Sequence, residues 1–358
     1  MTSRIPSVQG VVGGVRARAG RTAARAVNAA RLAGGLDRPA TGCTAHSVVS
    51  RRDRTSLRRF QSSGERRRSP VLLVPSLINR SRIWDLRPGD SFVEGMLAAG
   101  YDVYLMDWGT IDERDATNTL STYVDGYIPS AVDRVEQLSG ALPILIGHCL
   151  GGIMATLWAA STDRQPPALV SIAAPTNWAE MGPLYQLTRA GRLEPEAVLD
   201  STGNVPAKSM LRAFQMLRPL GDLTGYVTLW ERMYDRAAAQ AIYALTDWAH
   251  DHVPFPGATF VEMIRRLSRE NGLCNGEVVL GGQPRRLKDI SAPFFNVYGT
   301  HDHVTPPDSV RPLTDLVGSQ IKTERDLSAG HVGLLVGGTA RRKTLPAITE
   351  WLDEVIND

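Results

Sequence analysis

Six consecutive residues carry the first chemical signal in the chain: Gly147-His148-Cys149-Leu150-Gly151-Gly152. A short apolar run, Ile144-Leu145-Ile146, leads into them, and a helical pattern leads out. A thiol set on a sharp strand-to-helix turn is a presented nucleophile, and glycines two positions before and after it let neighbouring backbone cross closely. The start of the following helix favours negative charge on the sulfur and on an oxyanion beside it. On the hexapeptide alone, a buried cysteine in a glycine-rich turn competes with this reading. The rest of the chain favours the nucleophile. In this context the catalytic order is nucleophile, acid, histidine; downstream, Asp302 follows a predicted strand ending at Tyr298-Gly299, and His331 lies in the loop Ser328-Ala329-Gly330-His331. Two backbone N–H groups are needed for an oxyanion hole: Leu150, directly after the nucleophile, and Leu77, in the loop Pro75-Ser76-Leu77, are the candidates. Four other histidines, His250, His252, His301 and His303, fall in two His-Asp-His-Val strings. Their i, i+2 spacing without a third close ligand is a poor zinc pattern.

The elements that must position these residues alternate between strand and helix. Val71–Val74 is a continuous apolar run between Pro70 and Pro75, as a strand buried on both faces requires. A helix follows over Ser91–Ala99, then a strand within Tyr101–Met106, a helix over 121–139, the strand at 144–146, a helix from 150 and a strand at Val170-Ser171-Ile172. Residues 176–270 lack a convincing strand and show helical periods. After Cys274 the rhythm resumes with strands at 278–280, 294–298 and 321–326, and helices near 308–317 and 340–356. The expected fold is α/β, a hydrolase-like mostly parallel sheet with a helical cap inserted at about 176–270. Residues 70–358 form the catalytic domain in this reading.

Composition narrows the function classes. The 358 residues are 43% hydrophobic and 22% charged, enough for a sizeable core. The net charge of +3 hides an asymmetry: residues 1–69 hold 15 Arg, no Lys and three acids, whereas residues 70–358 hold 25 basic and 34 acidic groups. The part expected to fold is therefore acidic, which argues against nucleic acid binding. Residues 1–69 read as an Arg-rich, disordered arm, ranked above an organellar transit peptide, with a mis-assigned translation start as a further reading, and export is not expected because arginines interrupt every candidate apolar run. Three widely spaced cysteines make neither a disulfide framework nor a zinc cluster and fit a reducing, cytoplasmic setting. The uncharged window 141–160 is long enough to span a bilayer, but Pro143 and the Gly147–Gly152 turn make it a buried strand, turn and helix instead of a transmembrane segment. Phosphate-loop, dinucleotide and EF-hand motifs are absent, so no bound cofactor and no metal are expected. Trp108, after Asp107, reads as packing on the top of the sheet.

With these residues in view, the chain resembles the polyhydroxyalkanoate synthases, which look like α/β-hydrolases with cysteine in place of the lipase serine. The resemblance spans about residues 70–358: Val74-Pro75-Ser76-Leu77-Ile78-Asn79-Arg80, Asp85-Leu86 with Ser91, Val103 through Gly109, the Gly147-x-Cys149-x-Gly151-Gly152 box, Trp248-x-x-Asp251 with Pro256-Gly257, Asn271-Gly272-Leu273, Gly299-x-x-Asp302-His303 with Pro306, and Gly330-His331. It implies polymerisation of (R)-3-hydroxyacyl-CoA into a polyester with release of CoA, in the cytoplasm at the growing granule. It further implies that Cys149 is acylated, that His331 is its general base, and that Asp302 is the carboxylate associated with activating the incoming hydroxyl. The short segment before the first strand is most similar to the class III catalytic subunit, which implies a homodimer working with a second, non-catalytic subunit; the Arg-rich arm departs from that pattern. The same Cys149, Asp302 and His331 would also serve a thioesterase or a non-polymerising acyltransferase, and a catalytically silent granule-binding protein is the reading from outside enzymology.

Overall fold

The computed structural model describes residues 8–61, 69–189, 192–217, 227 and 229–356. Its centre is an eight-stranded sheet. Numbering only the strands of that sheet, these are β1 (Ser47–Arg52), β2 (Thr55–Phe60), β3 (Val71–Val74), β4 (Val103–Asp107), β5 (Ile144–His148), β6 (Leu169–Ile172), β7 (Phe294–Gly299) and β8 (Lys322–Leu327). They lie in the order β1-β2-β4-β3-β5-β6-β7-β8. From β4 to β8 all pairings are parallel, and β2 joins β4 antiparallel.

Because successive side chains of a strand point to opposite faces, a sheet covered on both sides needs apolar residues at every position. In β3, Leu72 and Val74 pack into one core with helices α3 (Ile128–Ser139) and α4 (Leu150–Ala159). Val71 and Leu73 pack into the other, with Phe92 and Met96 of α2 (Phe92–Ala98) and Ile348 and Leu352 of the C-terminal helix Leu345–Ile356. Ser91 caps α2, its hydroxyl accepting from the Glu94 N–H. The chain reverses its direction of strand addition on either side of β3. Loops leaving the carboxyl ends of β3, β5, β7 and β8 therefore converge on one edge, where open α/β sheets place their sites.

Two readings need correction. The segment read as an unstructured arm contributes β1 and β2 to the sheet. Leu57 and Phe60 are buried, and arginines of this segment find acids beyond it: Arg58 pairs with Asp107, Arg59 with Asp102 at 3.1 Å, and Arg54, in the turn before β2, with Asp112 and Asp115. Ahead of these strands, helix α1 (Val8–Ala33) packs Leu32 against Met233 and Ala239 of the cap, and the Asn28 side-chain amide donates to the Met233 carbonyl at 2.7 Å. The strand expected at 278–280 does form, but as a separate two-stranded hairpin, Glu277–Leu280 with Gln283–Arg286, outside the large sheet.

Between β6 and β7 the described cap is helical, with α5 (Pro183–Thr188), α6 (Ala207–Leu217), α7 (Arg236–His250) and α8 (Gly257–Glu262). Its extended contacts are limited to the isolated bridges Asn79–His252 and Val205–Phe255. Among the described residues no helix is long and apolar enough to cross a membrane.

Candidate active site

β5 ends at His148 and α4 begins at Leu150, so Cys149 alone makes the turn. Its φ of 56° and ψ of −125° lie where a side chain is strained. The surroundings hold it there: the Cys149 N–H donates to the Ile172 carbonyl of β6 at 2.8 Å. A Cβ on Gly151 would land on the Val74 carbonyl and Pro75, and one on Gly147 would strike the backbone of Gly151 and Gly152. The two glycines thus allow β3, β5 and α4 to meet close enough to present the thiol.

Asp302 and His331 come from the ends of β7 and β8 and meet beside Cys149. The carboxylate is saturated. Val304 and Thr305 N–H groups donate to Oδ1 at 2.8 and 2.9 Å, while the Thr305 hydroxyl and His331 Nδ1 donate to Oδ2 at 2.8 and 2.7 Å. A carboxylate only accepts, so the proton sits on Nδ1 and leaves Nε2 available to Cys149, which lines the same cavity. Burial opposes charge on this imidazole, but the Asp302 carboxylate and Cys149 outweigh it and raise its pKa to about 10. Burial likewise works to raise Asp302, and the His331 charge with the Thr305 donors reverses that and holds the acid below its ordinary range. An unfolded histidine titrates near ~6.5. The His331 contribution to stability is therefore complete below that pH and is lost as pH climbs to about 10.

The two oxyanion candidates, Leu150 and Leu77, have N–H groups with no acceptor among the described residues. The Leu77 side chain is buried in the core, whereas Ile78, whose own N–H donates to Ser76 Oγ at 3.2 Å, borders the site. This loop is braced twice. Trp108 Nε1 donates to the Pro75 carbonyl at 3.0 Å, and Trp248 Nε1 of α7 donates to the Arg80 carbonyl at 2.9 Å. Arg80 also pairs with Asp251, and Arg82 with Asp247 and Asp251 at 2.9 and 3.2 Å. The Trp248-x-x-Asp251 string noted in the sequence thus clamps the cap to the loop that follows β3; its arginine partners, ~170 residues upstream, gave no local signal.

His148 was not singled out by the sequence. Its ring lies edge-on to Trp84 and 4.6 Å, centroid to centroid, from His331, and its Nε2 is 3.4 Å from the His331 carbonyl. Burial, reinforced by the nearby His331 charge, lowers its pKa to about 3. It stays neutral while His331 is charged, and the unfolded chain binds the extra proton as pH falls from ~6.5. Stability should drop through that window to about 3, by up to ~1.4 kcal/mol per pH unit at steepest. In His148→Asn this acid-side loss should flatten; thermal unfolding from pH 7 to 4 reads it, and parallel curves for the two proteins would contradict it.

His250, His252, His301 and His303 line one cleft of about 400 Å³ together with His331. Among the described residues no group of three or more His, Cys, Asp or Glu is arranged to hold a metal ion.

A family profile described as alpha/beta hydrolase fold matches residues 69–338. Among similar proteins, the poly(3-hydroxyalkanoate) polymerase subunit PhaC of Allochromatium vinosum is 33% identical over 320 residues, 88% of this chain and 90% of that protein. The subunit of the same name from Synechocystis is 32% identical over 87% of this chain and 85% of its own length. That of Haloferax mediterranei is also 32% identical, and this chain spans 64% of its length. A thermophilic esterase from Thermogutta terrifontis, 14% identical, superposes with a TM-score of 0.51 over 87% of this chain and 99% of its own. That likeness shows the fold alone.

Proposed function

The chain belongs to the poly(3-hydroxyalkanoate) polymerases, enzymes within the alpha/beta hydrolase fold, and from that premise we propose that it builds polyester from (R)-3-hydroxyacyl-CoA through a thioester on Cys149. The observation that carries this reading is His331, paired with Asp302, lining one small cavity with Cys149 at the strained turn. His331 Nε2 takes the thiol proton, Cys149 Sγ attacks the thioester carbonyl as a thiolate, the oxyanion rests on the Leu150 and Leu77 N–H groups, and the carbon–sulfur bond to CoA breaks as His331 Nε2 passes that proton to the departing thiolate. Neutral His331 then takes the proton of an incoming chain hydroxyl, whose oxygen attacks the acyl-Cys149 carbonyl and returns the cysteine. Exchanging one thioester for another keeps the acyl group reactive enough for that second step. Asp302 has all its oxygens engaged by Val304, Thr305 and His331, which supports an orienting and charge-stabilising role through His331. This chemistry calls for no bound cofactor. The working assembly in this reading is a homodimer with a non-catalytic second subunit, in the cytoplasm at the granule surface.

The thioesterase alternative differs in whether water or a chain hydroxyl resolves the acyl-enzyme. Trp248 is buried against the same small cavity as Cys149, His148 and His331, and its indole satisfies the Arg80 carbonyl. Trp248→Ala orphans that carbonyl, at a cost of ~1–3 kcal/mol, and opens the cap to water. The fraction of acyl groups released as free hydroxy acid should rise severalfold, as chromatography of the products would show. An unchanged ratio of acid to polymer would remove the cap from the argument. The reaction itself is tested with purified protein and (R)-3-hydroxybutyryl-CoA: insoluble polyester supports synthesis, and stoichiometric free acid supports the thioesterase.

A further inference from the structure

Cys149 borders two cavities. On the His331 side is a space of about 170 Å³ bordered by Trp248, His252 and Arg80, next to the histidine-lined cleft. On the other side is a cavity of about 310 Å³ whose walls include Leu150, Ile153, Met181, Met210 and Met263, and which reaches exposed Leu187 and Met216 at the surface of the cap. The chemistry decides which part of a thioester enters which. His331 must reach the leaving sulfur to protonate it, so CoA occupies the histidine side. The acyl group then extends to the other side, among leucine and methionine. A hydroxybutyryl group offers only a methyl beyond its hydroxyl-bearing carbon and would leave most of that space unfilled. At ~30 Å³ for a water-sized group, the cavity holds on the order of ten such groups. Methionine side chains adapt to apolar ligands of different length.

Resting on the acyl-transfer reading of Cys149, we propose that this cavity is the acyl site for medium-chain (R)-3-hydroxyacyl thioesters, six to ten carbons long, with Met181, Met210 and Ala213 setting the length. Each added methylene that enters it strengthens binding by up to about fourfold.

The test uses the full chain carrying Cys149→Ala, which binds without turnover, titrated by calorimetry with (R)-3-hydroxybutyryl-, hexanoyl- and octanoyl-CoA. The dissociation constant should fall at least tenfold from four carbons to eight. A second variant, Cys149→Ala with Ala213→Phe, places a ring in the cavity from α6 and should cut that ratio to below threefold, while its melting curve reports that it is folded. Constants equal within twofold across the three chains, tightest binding at four carbons, or no binding of any of them at millimolar concentration would overturn the proposal. If octanoyl-CoA binds as expected but the unaltered enzyme makes no polyester, the polymerase reading fails and the acyl site stands.

Discussion

Cys149→Ala should abolish CoA release from (R)-3-hydroxyacyl-CoA, with a fall on the order of 10⁶-fold, to the level that binding and the backbone donors sustain without a nucleophile. The expectation follows from geometry: Cys149 is the side chain at the strained turn, and the Thr305 hydroxyl beside the Asp302–His331 pair is already engaged with Asp302. Cys149→Ser sharpens the point. Serine can be acylated, but an oxyester has lost the energy of the thioester, so transfer to the next hydroxyl should be slower than acylation and the acyl-serine should accumulate. Colorimetric assay of free CoA together with intact-protein mass measures both. Alanine and wild-type proteins releasing CoA within tenfold of each other would place the nucleophile elsewhere.

The second large effect belongs to Asp302→Asn. The Asp302 carboxylate, together with Cys149, overcomes burial at His331 and lifts it to about 10; without the carboxylate charge, burial weighs more and the imidazole titrates lower. A protonated His331 is the acid for the CoA thiolate, so in the native enzyme acylation should persist to high pH and decline as pH approaches about 10. In the asparagine variant that alkaline limb should move down by several pH units, and the rate at pH 8 should fall by about 10⁴-fold, since the amide also permits the wrong imidazole tautomer. A pH–rate profile of single-turnover CoA release separates this from a folding defect. A variant slowed equally at every pH, with its limb unmoved, would show that Asp302 acts otherwise.

The parts of this molecule that could be read from the chain are those whose physics is local. β3 and the Ile144–Ile146 part of β5 are apolar runs because both faces of the sheet are covered, and the Gly147–Gly152 turn is marked by the close crossing that only glycine allows. Asp302 and His331 were legible from chain order and from the strands that precede them. β1 and β2 were not. Arg54, Arg58 and Arg59 read as solvated charge, whereas they pair with Asp102, Asp107, Asp112 and Asp115; part of the excess of base in one segment meets acid in the other. The same holds for the brace of Arg80 and Arg82 on Asp247 and Asp251, and for His148, whose role depends on a ring brought from residue 331. Side chains that act through distant partners carry no periodicity, so nothing along the chain announces them.

The central claim is that polyester grows from an acyl group held on Cys149. It is tested most directly by quenching the enzyme in acid during turnover of (R)-3-hydroxybutyryl-CoA and mapping the adduct by peptide mass spectrometry, with the polymer recovered from the same reaction. The account predicts hydroxybutyryl units, one or several, on the peptide containing Cys149 and nowhere else, in a reaction that yields insoluble polymer. Polymer formed with Cys149 unmodified at every time point, or an adduct on another residue that chases into polymer, would contradict it.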